Sequence, residues 1–204
     1  ATSGTRDFSG AQWAGTWYHI ALANKQAGSD INGATAEINA TFNLSIDSGC
    51  LTAGHRWYYG LDNATPSLRT NLLVVLLHEM GHGLGFSTFA SGNTGALAGG
   101  LPDVWSRYMF DTTTGKFWSD TTMTDAQRAA SARSNGGLLW DGPNVKIASS
   151  YLTGGRDSAT GRVQLYAPTT FAAGSSVSHF STAATPNLLM EPAINSGLPI
   201  TGDL

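Results

Sequence analysis

The sequence is poor in cysteine and in charged residues, and each shortage excludes a class of protein. Cys50 is the single cysteine among 204 residues, which excludes an internal disulfide framework and a zinc site built from two or more thiolates. Charged residues make up 12% of the chain and the formal net charge is −3. Because no basic excess is present to hold a phosphate backbone, we do not expect nucleic acid as a partner.

Long hydrophobic runs are also missing. The longest aliphatic run is Leu72 to Leu77, whereas a membrane-spanning helix needs about 20 apolar residues, so no membrane span is expected. Hydrophobic residues still make up 41% of the chain, enough for a sizeable core in a single domain. Residues 1–10 lack the regions of a signal peptide. Few lysines and abundant Ser, Thr, Asn and Gly favour a secreted, already processed protein.

The first 60 residues carry one helical and two strand patterns. Apolar residues at helical spacing predict a helix within Ala11–Gln26 that ends near Gly28. Ala34–Leu44 alternates apolar and polar residues, which predicts a half-exposed strand, and the aromatic-rich Arg56–Gly60 predicts another short strand.

The most apolar stretch, Leu72–Leu84, predicts a helix buried on every side. Thr65 and Pro66 supply an N-cap and a first-turn proline for it. The glycines at 83 and 85 predict its end, because glycine allows the chain to turn sharply away.

Beyond Phe86 the composition shifts toward Gly, Ser, Thr and Asn. We expect a hairpin of Tyr108–Phe110 and Lys116–Trp118, a short helix capped by Thr124, and a strand at Arg162–Tyr166. The shift marks a boundary between lobes 1–85 and 86–204 of one domain that covers residues 1–204.

His78-Glu79-Met80-Gly81-His82 forms an H-E-x-x-H sequence within the predicted buried helix. Residues four apart share a helix face, with Cβ atoms about 5–6 Å apart, so both imidazoles can reach one zinc ion. Glu79 lies about 100° around the helix from His78. Its carboxylate can therefore take a proton from the metal-bound water as a general base without occupying a coordination position.

A catalytic zinc site needs a third protein ligand and an open fourth position. Glutamate is poorly supported, since the chain holds only Glu37, Glu79 and Glu191. An aspartate further along the chain remains possible in principle, for example Asp103, Asp111, Asp120 or Asp141. His179 is the one histidine C-terminal to the helix and is the simplest candidate.

Gly85 extends the motif to H-E-x-x-H-x-x-G, which resembles the metzincin clan of zinc metallopeptidases. Most metzincins place the third histidine three residues after that glycine, where this chain has Thr88. Leishmanolysin-like peptidases instead insert a long segment before the third histidine and follow it with a methionine turn. Ser178-His179-Phe180 and the downstream segment Asn187–Pro192 resemble the S-H-W…L-M-x-P stretch of that family.

The resemblance covers mainly Leu72–Phe86 and Ser178–Pro192 and suggests a bacterial, minimal member without disulfides. It implies an α+β, metzincin-like fold, with an N-terminal mixed twisted sheet, a backing helix, an active-site helix and an irregular C-terminal lobe. It also implies that the strand Ala34–Leu44 aligns an extended substrate by strand addition.

Carried over residue by residue, the resemblance implies three zinc ligands, namely His78, His82 and His179. Glu79 would be the general base, Gly85 would turn the chain beneath the site, and Met190 would pack under the metal. His19 and His55 have no ligand-like partners nearby in the sequence and are expected to be structural.

These observations predict a secreted, monomeric zinc endopeptidase that acts on proteins or peptides. Two alternatives remain: a zinc-binding or carbohydrate-binding module without turnover, and an aspzincin-like peptidase with an aspartate as third ligand. The sequence also leaves open whether calcium binds among the Asp-containing loops.

Overall fold

Eight short strands and four α-helices follow one another along the residues that the computed structural model describes, 2–194 and 198. The predicted α+β class is confirmed. The prediction of a mixed twisted sheet in the N-terminal lobe is wrong, because the described residues up to 85 form only an antiparallel pair and a separate parallel pair of strands. The largest sheet has four strands and lies beyond residue 86.

The N-terminal region pairs β1 (Gly4–Thr5) with β2 (Tyr18–His19) and continues directly into α1 (Ile20–Ala27). The helix ends as predicted, with Gly28 at φ 69°. It begins later than the sequence suggests, because the backbone of Trp17 is already bonded in extended form to the 102–104 segment. Those long-range bonds hold Trp17 extended, so the helix cannot run through this residue.

The strand predicted at Ala34–Leu44 is not formed. Ile38 makes a single bridge to Thr2, and Leu44–Ser48 folds into a 3-10 turn. Ile38 is half-buried and packs against Gly83, since a Cβ on this glycine would lie 2.5 Å from its Cδ1, whereas Ala36 and Ala40 on the same predicted face are exposed. Among the described residues, the Thr2 bridge is the only strand-like pairing of this segment.

Strand β3 (Arg56–Tyr58) lies within the predicted strand Arg56–Gly60 and pairs in parallel with β4 (Arg69–Asn71). Helix α2 (Leu72–Gly83) follows β4 without a loop. Pairing of β4 holds residues 69–71 extended, so the helix cannot begin at Thr65 and Pro66.

The N-cap of α2 is therefore Asn71, whose side-chain oxygen accepts bonds from the amides of Leu73 and Val74 at 3.0 and 3.3 Å. The helix is not buried on every side as expected. Val74 and His78 face inward, whereas Leu76 and Glu79 are exposed. None of the described helices is long and apolar enough to cross a membrane.

The four-stranded antiparallel sheet has the order β6-β5-β7-β8. Its strands are β5 (Met109–Asp111), β6 (Lys116–Phe117), β7 (Leu138–Trp140) and β8 (Val163–Gln164). The predicted hairpin and the predicted strand near residue 163 are thus confirmed. Two helices flank β7, namely α3 (Asp125–Ser131) and α4 (Pro143–Ala148).

Helix α3 starts with a capping box, in which Thr124 and Gln127 bond each other's backbone amides, as the sequence indicates. The main core lies between this sheet and the inner face of α2, and it includes Val74, Phe180 and Met190. Leu165, just after β8, forms a bridge with Phe180. The core thereby brings the segment that carries His179 against helix α2.

Candidate metal centre

Three histidine side chains meet at one point, although two come from α2 and the third lies about a hundred residues later in the chain. The Nε2 atom of His82 lies 3.1 Å from that of His78 and 3.1 Å from that of His179. The Nε2 atoms of His78 and His179 are 3.3 Å apart. These residues lie close enough to bind one metal ion.

The opposite ring nitrogen of each histidine is bonded to the backbone. Each Nδ1 lies 2.7 Å from a carbonyl oxygen, that of Leu189 for His78, of Phe86 for His82 and of Ser175 for His179. A carbonyl oxygen can only accept, so Nδ1 carries the proton and donates. In a neutral imidazole the Nε2 atom then holds a lone pair.

Three lone pairs directed at one another cannot form hydrogen bonds, and His78 and His179 are only 6% and 4% exposed. Such a group is costly in a buried site unless a cation binds the lone pairs. A tetrahedral zinc ion at about 2.0–2.1 Å from each nitrogen requires the nitrogens to be about 3.3 Å apart. The observed 3.1–3.3 Å fits that requirement.

Burial also keeps two of these imidazoles in the form that binds metal. Burial lowers the pKa of His179 to about 4, against the opposing effect of its bond to the Ser175 carbonyl, and His82 and His78 lower it further. Burial likewise lowers the pKa of His82. Neutral imidazole is the species that ligates metals.

The C-terminus of α2 holds His82 in place. The amide of Phe86 donates to the Gly81 carbonyl at 3.0 Å, and the amide of Gly85 donates to that of His82 at 3.1 Å. Gly85 has φ 115°, a conformation that favours glycine. This reversal directs the Phe86 carbonyl back toward Nδ1 of His82.

His179 is fixed by its neighbours in the C-terminal half. Its carbonyl accepts the amide of Tyr166 at 2.8 Å, and the next amide, of Phe180, donates to the Met190 carbonyl at 2.8 Å. Met190 is 8% exposed and lies against Gly81 of the helix. The structure therefore places Met190 against α2 at Gly81, one residue after the carbonyl that accepts from His78.

Glu79 is exposed and faces a groove with a volume of about 540 Å³. His82 and Ser87 line the same groove. The opposite wall is formed by the residues expected to make a strand, from Ile38 to Asn43. Glu79 is the only ionisable carboxylate among the described residues that line it.

Ser87 and His19 were not identified as a pair from the sequence. The Ser87 hydroxyl lies 2.8 Å from Nε2 of His19, which is 3% exposed and stacks on Phe89. Burial lowers the pKa of His19 to about 4; Asp103 raises this pKa and His82 lowers it. No pattern links residues 19 and 87, because only the tertiary fold brings them together.

The aspartates considered as third ligand are engaged elsewhere. Asp103 accepts backbone amides at 89 and 106, Asp111 and Asp120 accept from threonines in their own turns, and Asp141 pairs with Lys146 and Arg162. Over the described part of the chain, none of them joins the histidine group, and neither does the exposed Cys50.

Comparisons with protein-family models, with curated proteins and with solved structures each find no match to this chain. A functional assignment must therefore be argued from the side chains that surround the three histidines.

Proposed function

We propose that the chain is a zinc-dependent endopeptidase of the metzincin type, similar to the leishmanolysin-like family. The observation that carries this proposal is the convergence of three Nε2 atoms at the edge of a groove that also holds the Glu79 carboxylate. Three protein ligands, with the fourth position left to water or substrate, distinguish catalytic from structural zinc sites.

His78, His82 and His179 would hold the metal. Zinc is favoured over harder cations because its sites are commonly built from imidazole, whereas magnesium and calcium prefer oxygen ligands. When bound to three imidazoles, zinc acidifies water and polarises a carbonyl group, which is the chemistry that hydrolysis of a peptide bond requires.

Glu79 is assigned to proton transfer. Its carboxylate follows His78 directly, yet it projects to the exposed side of α2 and lines the groove instead of joining the histidine group. A carboxylate in this position can accept the proton of the attacking water and deliver it to the departing amine. The groove supplies the solvent access that this shuttle needs.

The substrate is expected to be an extended peptide with apolar or small side chains. Ile38, Phe42 and Trp57 line the groove, and the wall opposite Glu79 carries no charged residue. Residues 40–42 belong to no strand in the described structure, and we propose that a peptide bonds along this wall by strand addition. We further propose that the enzyme is secreted and monomeric.

Metal content and casein cleavage of the same preparations test the proposal. Wild-type protein should contain one zinc ion per chain and cleave casein. Glu79→Gln should keep the zinc and lose cleavage by about 100-fold or more, because a general base is worth about 10²–10⁴ in rate. Glu37→Gln, a change at a carboxylate bonded to Asn24, should leave both properties unchanged.

Two outcomes would count against the peptidase. Zinc-loaded wild-type protein without cleavage of any peptide would favour a zinc-binding or carbohydrate-binding module. Undiminished cleavage by metal-replete Glu79→Gln would remove Glu79 from the mechanism. The aspzincin-like alternative predicts that His179→Ala retains zinc and activity.

A further inference from the structure

Glu191 is a buried carboxylate that the proposed reaction does not use. It follows Met190 and is only 1% exposed. Its Oε1 atom accepts the amide of Leu188 at 2.7 Å, while its own amide donates to the Leu188 carbonyl at 3.3 Å. Side chain and backbone of Glu191 therefore close the same four-residue turn, Leu188–Glu191.

The two residues inside this turn each contact a segment that carries a metal ligand. The carbonyl of Leu189 accepts Nδ1–H of His78 at 2.7 Å. The carbonyl of Met190 accepts the amide of Phe180, next to His179, at 2.8 Å. One short turn thus connects the histidine at the centre of α2 with the histidine of the C-terminal half.

Burial of a carboxylate is costly unless hydrogen bonds compensate it. An apolar side chain would fill the same volume without that cost, so packing alone does not account for Glu191. The Oε1 atom of Glu191 makes such a bond by accepting the Leu188 amide, which an apolar side chain could not do.

We propose that Glu191 is a positioning residue for the metal centre. Its carboxylate fixes the Leu188–Glu191 turn, which sets the orientation of the His78 ring through the Leu189 carbonyl and the position of His179 through Phe180. It is not itself a member of the histidine group. The inference depends on the proposed metal centre but not on peptidase activity.

The test compares zinc affinity and the visible spectrum of the cobalt-substituted protein for wild type, Glu191→Ala and Glu191→Gln. Partners of metal-bound histidines typically change metal affinity by about 10–100-fold when they are mutated. Glu191→Ala should weaken zinc binding by about that factor and alter the cobalt spectrum. Glu191→Gln keeps an oxygen that can accept the Leu188 amide and should restore most of both properties.

Asp111→Ala provides the matched control. Asp111 is also 1% exposed and accepts the amide and hydroxyl of Thr114 within the β5–β6 hairpin turn, where it contacts no histidine segment. Its loss should lower the melting temperature without changing zinc affinity or the cobalt spectrum. If Glu191→Ala does not fold, Glu191→Asp, which is shorter by one methylene, should give an intermediate loss of affinity.

The outcomes separate the two proposals. Equal zinc affinity in wild type and Glu191→Ala would overturn the positioning role and leave the metal centre intact. Failure of Glu191→Gln to recover affinity would also overturn it, since the acceptor atom would then not be what matters. Wild-type protein that binds no divalent cation would overturn the metal centre and the role of Glu191 with it.

Discussion

Met190 lies directly on the backbone of Gly81, so that a Cβ atom added to this glycine would be 2.7 Å from the thioether sulfur. Gly81 is the residue before His82 in α2, and Met190 is the residue after the carbonyl that orients His78. The absence of a side chain at position 81 therefore allows the Leu188–Glu191 turn to approach the ligand-bearing helix.

A larger residue at position 81 should separate the turn from the helix. We expect Gly81→Val to lower the free energy of unfolding by about 1–3 kcal/mol, the usual cost of overpacking, and to weaken zinc binding. Gly81→Ala should remain within about 1 kcal/mol of wild type, because the flexible thioether can move and alanine favours helix. Urea denaturation measures both values.

A double variant tests whether the contact with Met190 is the cause. Met190→Ala should offset part of the destabilisation by Gly81→Val, since the cavity left by the thioether can accept the valine. Strictly additive effects of the two substitutions would show that Gly81→Val acts elsewhere.

Removal of His179 should cost more metal affinity than removal of any residue that only orients a ligand. We expect His179→Ala to weaken zinc binding by more than about 100-fold. Zinc at about 100 times its dissociation constant stabilises a folded protein by about 2.7 kcal/mol, so the zinc-dependent rise in melting temperature should disappear. His55→Ala, at a histidine bonded to Thr70, should retain that rise.

The stability of the metal-free protein should depend on pH below neutrality. Burial lowers the pKa values of His19 and His179 to about 4 in the folded chain, whereas unfolded histidine has a pKa near 6.5. Between these values the unfolded chain binds more protons. The free energy of unfolding is therefore highest above about pH 6.5, and it decreases as the pH falls toward 4.

Urea denaturation of metal-free protein between about pH 4.5 and 7.5, on either side of the pKa of about 6.5 of unfolded histidine, measures this dependence. Each imidazole should contribute on the order of 2–4 kcal/mol across the full window. His19→Gln keeps a group that can hydrogen-bond Ser87. It should reduce the number of protons taken up on unfolding, which sets the slope of the free energy against pH, by about one. A slope that His19→Gln leaves unchanged would mean that His19 does not titrate in this range.

The histidine group could be predicted because its members obey local rules. Two of them are four residues apart in a helix, and His179 is the single histidine downstream. Their orienting partners could not be predicted, because all three are backbone carbonyls, which nearly every residue offers. The partners of His82 and His179 lie four residues away in the chain, whereas the Leu189 carbonyl that accepts from His78 comes from a distant segment.

The same difference, between interactions of neighbouring residues and interactions of residues far apart in the chain, explains which elements were predicted correctly. The cap at Thr124 and the β5–β6 hairpin depend on neighbouring residues and are present. The alternation in Ala34–Leu44 predicts a strand that is not formed, and Ala36 and Ala40 on its apolar face are exposed. Alternation alone could not reveal this, because strand pairing depends on residues far away in the sequence.

The start of α2 shows how pairing overrides a local signal, and it gives a last prediction. Thr65 and Pro66 form a favourable start sequence, but β4 pairing keeps the chain extended up to Asn71. Asn71→Ala should lower the unfolding free energy by about 1 kcal/mol, because the amides of Leu73 and Val74 lose their acceptor. Asn71→Asp should retain the cap, since aspartate accepts the same bonds. If the alanine and aspartate variants are equally stable in urea denaturation, the side chain at position 71 does not cap the helix.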